Sequence, residues 1–239
     1  AERLILTGGL LLAAYSARRP TQDVDLAARG LTSGARELLG LVKEVAEGTT
    51  EDGVIFDSHA ATVERIREAT VYGAVRISMP ARPSSAKLVL QVDLNVGDPM
   101  VPDAVRVEVP RVLGGSFTTL GYPLSMILAE KLVTALERAD ANTRWRDFVD
   151  VALLVSHNPV NGDELLASIG SVAAHRSVRL TPLADVLARY ADVAQRRWEE
   201  WRRKHSLEDR TPQRFDELLG RVVAFADPAF SGRISGLRW

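Results

Sequence analysis

The stretch from Leu4 to Leu26 constrains the fold more than any other part of the chain. It reads LILTGGLLLAAYSARRPTQDVDL, in which an apolar run leads to Gly8-Gly9 and a second apolar run carries Asp23 and Asp25. This order predicts a strand, a tight turn, a helix and a second strand. Side chains two apart on a strand share a face, so both carboxylates are expected on the same side, at one edge of a sheet.

Two carboxylates held this close repel each other unless a cation lies between them. Mg²⁺ takes oxygen ligands from one or two carboxylates and from phosphates, and a glycine turn lets backbone N–H groups approach an anion. A DxD pair alone is more often a solvated strand edge, but the combination predicts a metal and phosphate site. In this interpretation Gly8 and Gly9 donate to phosphate, and Asp23 and Asp25 hold the metal.

A third acid lies in the segment KLVLQVDLNVGD, which predicts a strand over Lys87–Val96. Asp93 interrupts the apolar alternation of this segment, where an unpaired buried carboxylate is costly. Taken alone, it could equally be an edge-strand aspartate that faces water. Beside the DxD pair it supplies the third carboxylate of a two-metal transfer site, and Asp98 in the next turn is the competing candidate.

The rest of the first half predicts a small mixed sheet with packed helices, which we expect to form an α/β domain over residues 1–118. Its other predicted elements are a helix over 32–47 with Thr32 or Ser33 as the cap, strands over 53–56, 70–79 and 105–109, and a short helix around 61–68.

After Tyr122-Pro123 the pattern becomes nearly all helical, and we expect a helical domain over residues 119–239. The first predicted helix, Pro123–Arg138, begins with a proline in its first turn. Lys131 falls inside the apolar stripe of this helix. A lone lysine there most often extends its ammonium to water, although a triphosphate would also attract it.

Two acids share a face of the next predicted helix, Arg144–His157, because Asp147 and Asp150 are three residues apart. Arg146 lies four residues from Asp150, so a structural ion pair is the simplest explanation of that acid.

A third helix is predicted over Asp185–His205 and ends in QRRWEEWRRKH, with basic residues around Trp198 and Trp201. Basic residues beside aromatic ones can bind RNA. Two tryptophans three apart are more often core anchors, which is the interpretation that we favour.

The composition excludes several classes of chemistry. The 239 residues include no cysteine, so disulfides, thiolate zinc sites and thiol nucleophiles are ruled out, and the four histidines lack metal-ligand spacing. The net charge of −1 gives no overall attraction to nucleic acid, so any such binding must come from a local patch.

No apolar run is long enough to span a bilayer, and we expect a soluble, cytoplasmic protein. Because the first strand begins almost at once, we also expect residues upstream of Ala1.

The segment GGLLLAAYSARRPTQDVDLAARG resembles the signature of the polymerase-beta-like nucleotidyltransferases. It is similar in particular to the AbiEii and MenT branch, the toxins of AbiE-type toxin–antitoxin systems, whose segment reads roughly GGTALRLLYGxxRxTxDID. The positions that match are Arg19, Thr21, Asp23 and Asp25. Leu10 departs from the family, which usually has Ser or Thr there, so a hydroxyl contact to phosphate is lost while backbone contacts remain.

The helical half continues the resemblance, which covers roughly residues 4–155. The family carries AEKLxAL followed by RxxxRDxxDL, and this chain reproduces the pattern at Ala129–Leu132, Arg146, Asp147 and Asp150. The resemblance implies that Lys131 and Asp147 belong to the nucleotide site and that Asp150 is part of the scaffold.

The resemblance implies an α+β fold, with an N-terminal polymerase-beta-like nucleotidyltransferase domain of mixed sheet and helices and an all-helical C-terminal domain. It also implies two Mg²⁺ ions and an NTP substrate. The implied metal ligands are Asp23, Asp25 and Asp93, the implied nucleotide-binding residues are Gly8, Gly9, Arg19, Thr21, Lys131 and Asp147, and the implied catalytic residues are Asp23, Asp25, Asp93, Lys131 and Asp147.

MenT-type toxins add pyrimidine nucleotides, chiefly cytidylate, to the 3′ end of tRNA. The implied function is therefore transfer of NMP from CTP or UTP to tRNA, which blocks aminoacylation and translation. A tRNA acceptor and a cognate antitoxin are the implied partners, with no membrane partner and a monomer favoured. The alternatives are a small-molecule acceptor of the aminoglycoside type, a protein hydroxyl, and a silent binding module, against which the three acids and Lys131 argue.

Overall fold

The structure is a computed structural model that describes residues 3–30, 34–48, 53–66 and 74–239. Contacts divide the chain into two units. The first, which we call the sheet unit, comprises residues 1–14, 18–98 and 104–122, and the second, the helical unit, comprises residues 15–17, 99–103 and 123–239. The predicted caps Thr32 and Ser33 lie outside the described residues, as does the start of the strand predicted over 70–79.

The sheet unit contains a mixed sheet of eight strands in its described part. They are β1 Leu4–Leu6, β2 Asp23–Ala28, β3 Val54–Phe56, β4 Thr62–Arg65, β5 Val75–Pro83, β6 Leu88–Val96, β7 Val105–Pro110 and β8 Ser116–Gly121. The order is β3-β5-β6-β2-β1-β8-β7, and β4 also pairs with β5. The β2–β6 and β1–β8 pairs are parallel, and the other pairs are antiparallel.

Two features of this sheet differ from the sequence-based expectation. The short helix predicted around 61–68 is wrong, because Thr62–Arg65 is a strand whose backbone pairs with β5. Its sequence, TVER, begins with two β-branched residues, which favour an extended chain. Strand β8 was not predicted, and it runs to Gly121, so the boundary expected after residue 118 falls inside it.

Helix α2, Ala35–Ala46, packs on one face of the part of the sheet formed by β2, β5 and β6. The opposite face of these three strands carries polar residues. The apolar residues that alternate along β5 and β6 form a buried core with α2, and this core includes Leu38, Val42, Val75, Ile77, Met79, Val92 and Leu94. Because neighbours along a strand point to opposite faces, Arg76 and Asp93 lie on the face away from α2. Helix α1, Gly8–Leu11, and a 3₁₀ turn, Leu12–Tyr15, connect β1 toward β2.

The helical unit is built on an aromatic core. Its helices are α3 Leu124–Arg138, α4 Trp145–His157, α5 Gly162–His175, α6 Leu183–Val186, α7 Tyr190–Lys204 and α8 Phe215–Phe230. The ring of Phe215 packs edge-on against Trp145 and Tyr190, with centroids 5.2 and 5.4 Å away. Trp198 is fully buried in this cluster, which confirms it as a core anchor, and Trp201 stacks on it at 5.4 Å.

Two further findings concern the helices. The helix predicted over 185–205 is interrupted, since α6 ends at Val186 and α7 begins only at Tyr190. Within the described ranges, none of the helices combines the length and the apolar character needed to cross a membrane.

Candidate active site

Three carboxylates meet on the polar face of the sheet because of the way β2 and β6 pair. The two strands are parallel and adjacent, and their register places Asp25 opposite Asp93 and Asp23 opposite Gln91. One oxygen atom from each of Asp23, Asp25 and Asp93 lies within 4.8 Å of the others. The sheet thus brings together the three acids that the sequence pattern singled out. Asp98 is not a member of this cluster.

The glycine turn fits closely around one of these acids. Gly8 has a φ of +59°, and a Cβ atom there would lie 1.8 Å from Oδ2 of Asp25. The N–H of Gly9 donates to the same oxygen at 3.3 Å. A side chain at position 8 would therefore collide with the acid in a backbone conformation that already favours glycine. Gly9 was expected to donate to phosphate, and in this structure its N–H contacts Asp25.

Thr21 and Arg19 complete the surroundings of the turn. The hydroxyl of Thr21 donates to Oδ1 of Asp23 at 3.0 Å, so it holds the first acid of the DxD pair. A Cβ atom on Gly9 would lie 2.7 Å from Oγ1 of Thr21 and 3.0 Å from Nη1 of Arg19. The two side chains thus pack directly against the glycine backbone, and a Cβ atom at residue 9 would force them to shift.

The acid cluster carries more negative charge than its surroundings neutralise. Burial raises the pKa of Asp25, and the neighbouring charges of Asp23 and Asp93 raise it further, against the lowering effects of the Gly9 N–H and of Arg19. Carboxylate oxygens are hard ligands of the kind that Mg²⁺ prefers. The donor set and its excess negative charge therefore fit a divalent cation.

Arg76 is the site residue that the sequence interpretation missed. It lies on β5 directly opposite Asp93, and its Nε and Nη2 donate to the two oxygens of Asp93 at 2.7 Å each. Nη2 is also 4.0 Å from Oδ2 of Asp23. The only signal in the sequence is indirect: position 76 pairs with position 93 if the hairpin is centred on Ser84-Ser85, and that register is known from the folded strands.

Lys131, Asp147 and Asp150 form an ion-pair cluster in the helical unit. Nζ of Lys131 lies 2.6 Å from Oδ1 of Asp147 and 2.8 Å from Oδ2 of Asp150. Nε of Arg144 contacts the other oxygen of Asp147 at 2.6 Å. The expected partner of Asp150 was Arg146, whereas the structure places Lys131 against it. Lys131 bridges the two helices α3 and α4.

Opposing effects set the charges in this cluster. Burial alone would lower the pKa of Lys131, but the two carboxylates outweigh it and raise that pKa. Burial likewise disfavours the ionised form of Asp147, yet Lys131 and Arg144 hold its pKa at about 2. An alanine at position 131 would leave the buried Asp150 without this ion pair, so Lys131 contributes to stability as well as being a predicted ligand of the nucleotide.

Two solved structures share the fold of this chain. JHP933 from Helicobacter pylori is 14% identical, with a TM-score of 0.53 over 96% of this chain and 84% of that one. A second structure, of an H. pylori protein described as a candidate nucleotidyltransferase, is also 14% identical, with a TM-score of 0.52 over 96% of this chain and 87% of that one. Similarity at this identity indicates the fold alone. No curated protein matches the chain.

The family comparison spans nearly the whole sequence. The model of the nucleotidyl transferase AbiEii toxin of type IV toxin–antitoxin systems matches residues 1–221. That range includes the glycine turn, the three clustered acids and the Lys131 ion pairs. The mixed sheet with helices agrees with the expected α+β fold. The chain therefore belongs to the AbiEii family of nucleotidyl transferase toxins, and it is a nucleotidyltransferase.

Proposed function

We propose that this protein transfers NMP, and CMP in the first instance, from an NTP to the 3′ end of tRNA, and thereby blocks aminoacylation and translation. The observation that carries the proposal is the cluster of Asp23, Asp25 and Asp93 beside the glycine turn. Membership of the AbiEii family supports the transfer of a nucleotide. The choice of CTP or UTP, and of tRNA as acceptor, comes from the resemblance to the MenT toxins.

The proposed reaction is a displacement at the α-phosphorus of the NTP. The 3′-hydroxyl oxygen of the acceptor forms a bond to this phosphorus, the bond from the phosphorus to the bridging oxygen breaks, and pyrophosphate leaves. The hydroxyl proton passes to Asp93, which acts as the general base. Although Arg76 contacts both oxygens of Asp93, a carboxylate offers about four lone-pair sites, so it can still accept a proton.

Asp23, Asp25 and Asp93 are the residues that would hold two Mg²⁺ ions. When bound in such a site, Mg²⁺ stabilises charge on the phosphoryl oxygens and lowers the pKa of the attacking hydroxyl. Two hydrogen bonds hold the carboxylates of the DxD pair in position. The hydroxyl of Thr21 donates to Asp23, and the N–H of Gly9 donates to Asp25.

Lys131, Asp147 and Arg19 enter the proposal as nucleotide-binding residues because they match the family motifs. Lys131 keeps its positive charge, since Asp147 and Asp150 raise its pKa. A fixed cation suits the negative charge that develops on departing pyrophosphate. Asp150 is assigned to the scaffold because its side chain is almost fully buried.

The test is a labelling assay with purified protein, Mg²⁺, total tRNA and each of the four labelled NTPs in turn, read on a denaturing gel. We expect label on tRNA with CTP or UTP, and none after EDTA is added. The matched control is Asp23→Asn, which removes one carboxylate charge with little change in shape and should give no label.

Failure to label tRNA with any NTP would contradict the proposed acceptor. Label on an aminoglycoside, or on a protein hydroxyl, would then identify the acceptor in its place.

As a toxin of this family acting on tRNA, the protein is proposed to work in the cytoplasm as a monomer, with a cognate antitoxin as its partner.

A further inference from the structure

We propose that Arg76 is a positioning residue for the acid cluster, which holds Asp93 in place and sets how tightly the cluster binds a divalent cation. The inference rests on the proposed function in one respect, namely that the metal binds to Asp23, Asp25 and Asp93. None of the family motifs in the sequence includes Arg76, which is brought to the acid cluster by the pairing of β5 with β6.

The Arg76 side chain holds Asp93 in a fixed geometry. Its guanidinium donates through two nitrogens to the two oxygens of Asp93, both at 2.7 Å. Paired donors of this kind fix the plane of a carboxylate as well as its position. Both residues also stand on directly paired strands, so the sheet itself holds the donor and the acceptor together.

Arg76 also adds a positive charge to the surroundings of the acids. Its Nη2 lies 4.0 Å from Oδ2 of Asp23, so the same positive charge acts on two of the three acids. An arginine remains protonated in proteins, so this charge cannot be lost by titration. Glu64 faces Arg76 from β4, and it reduces the effect of the guanidinium without removing it.

Arg76 affects metal binding in two opposite ways. A fixed positive charge beside the cluster repels an incoming dication and weakens its binding. The paired hydrogen bonds orient Asp93, which favours its use as a ligand and as a base. A residue that served only to orient Asp93 would strengthen metal binding when present. The charge effect has the opposite sign and is the larger of the two, because the guanidinium lies close to both Asp93 and Asp23, so a binding measurement distinguishes the two roles.

The experiment measures Mn²⁺ binding by titration calorimetry in the absence of NTP and tRNA, with the unfolding temperature recorded with and without the metal. For Arg76→Met we expect the dissociation constant to fall by about tenfold, because a unit charge close to the dication is removed. The metal-free unfolding temperature should fall, and it should recover when Mn²⁺ is added. Arg76→Lys keeps the charge without the paired donors, so Asp93 is less firmly oriented and Mn²⁺ should bind about twofold more weakly than in the wild type.

Arg82→Met is the matched control, since it makes the same substitution on the same strand. It should leave the Mn²⁺ dissociation constant unchanged. The inference is overturned if Arg76→Met binds Mn²⁺ as the wild type does, or more weakly. If that variant does not fold, an Arg76→Lys protein that binds much more tightly than the wild type would also overturn it, because its charge is retained.

The outcomes also separate this inference from the proposed function. If tRNA is not labelled but Arg76→Met tightens Mn²⁺ binding, the role of Arg76 stands and the acceptor is wrong. If the wild-type protein does not bind Mn²⁺, the metal site is absent and the inference falls with it.

Discussion

The backbone of Gly8 lies directly against Asp25, so the conformation of the glycine turn affects the position of the acid cluster. For Gly8→Ala we expect nucleotide transfer to fall by about a hundredfold, because a shift of about 1 Å at a reacting group costs that much. The physical reason is the contact of 1.8 Å that the new Cβ would make with Oδ2 of Asp25. Label incorporation and the unfolding temperature are the two measurements.

The control for this substitution is Gly30→Ala. Gly30 has a φ of +60°, close to that of Gly8, and a Cβ there would meet no atom within 4 Å. Both variants carry the backbone cost of about 1 kcal/mol, so the difference between them isolates the collision with Asp25. Equal activity of the two variants would contradict the role of Gly8 in shaping the site.

The low pKa of Asp147 predicts that the protein loses stability in acid. Its pKa is about 2 in the folded protein, against 3.8 as the ordinary value. Because the folded pKa is the lower one, the stabilisation is complete above about pH 4 and is lost as the pH falls toward about 2. A difference of this size corresponds to about 2 kcal/mol. Urea unfolding from about pH 7 to about pH 2 measures it.

Two variants check this assignment. Asp147→Asn should be less stable than the wild type at neutral pH but should lose less stability in acid. Asp216→Asn removes an exposed carboxylate that contacts Arg214, and it should change the pH profile much less than Asp147→Asn does, because solvent screens an exposed ion pair. If Asp147→Asn loses as much stability in acid as the wild type does, that loss arises from other ionisable groups.

At the scale of elements, helix α7 is held by its buried tryptophan. We expect Trp198→Ala to lower the free energy of unfolding by about 3 kcal/mol or more, as for other buried aromatic residues. The ring is fully buried, and its Nε1 donates to the carbonyl of Pro212 at 3.1 Å. Arg196→Ala on the outer surface of the same helix should change stability by less than about 0.5 kcal/mol.

The same pair of variants tests the alternative that α7 binds RNA. Urea unfolding gives their stability, and the labelling assay gives their activity on tRNA. A Trp198→Ala protein of normal stability that no longer labels tRNA would favour base stacking over core packing. If only Arg196→Ala loses labelling, the outer surface of the helix contacts the phosphate backbone of the tRNA.

Most elements could be predicted because their signals are local. The alternation in β6 and the proline before α3 act within a few residues, and both elements begin within one residue of the expected position. The interruption between α6 and α7 has no such signal, because residues 187–189 include neither glycine nor proline. It accompanies a distant contact, since Asp227 of α8 accepts from the N–H of Leu183 at the start of α6.

The candidate site shows the same division between local and distant signals. Asp23 and Asp25 lie two apart on one strand, so their shared face follows from the sequence. Arg76 could not be recognised by its residue type, because many strands carry an exposed arginine. Its importance depends on the register that sets it opposite Asp93, which is a property of the folded hairpin.

For the whole molecule, family membership and the proposed acceptor together predict an effect on the cell. We expect induced expression to stop bacterial growth and to reduce incorporation of labelled methionine, because tRNA that is modified at its 3′ end cannot be charged. Asp23→Asn expressed to the same level should do neither. Growth arrest by both proteins would mean that the harm does not arise from nucleotide transfer.

The parallel pairing of β2 with β6 determines when, during synthesis, the three carboxylates of the acid cluster can come together. The chain between these strands carries α2 and strands β3 to β5, so a growing polypeptide holds Asp23 and Asp25 long before Asp93 joins them. A slip of one residue would also turn Asp93 to the opposite face of the sheet. An unfinished or misregistered copy therefore lacks the complete acid cluster, so the proposed activity is expected only after β6 has paired with β2.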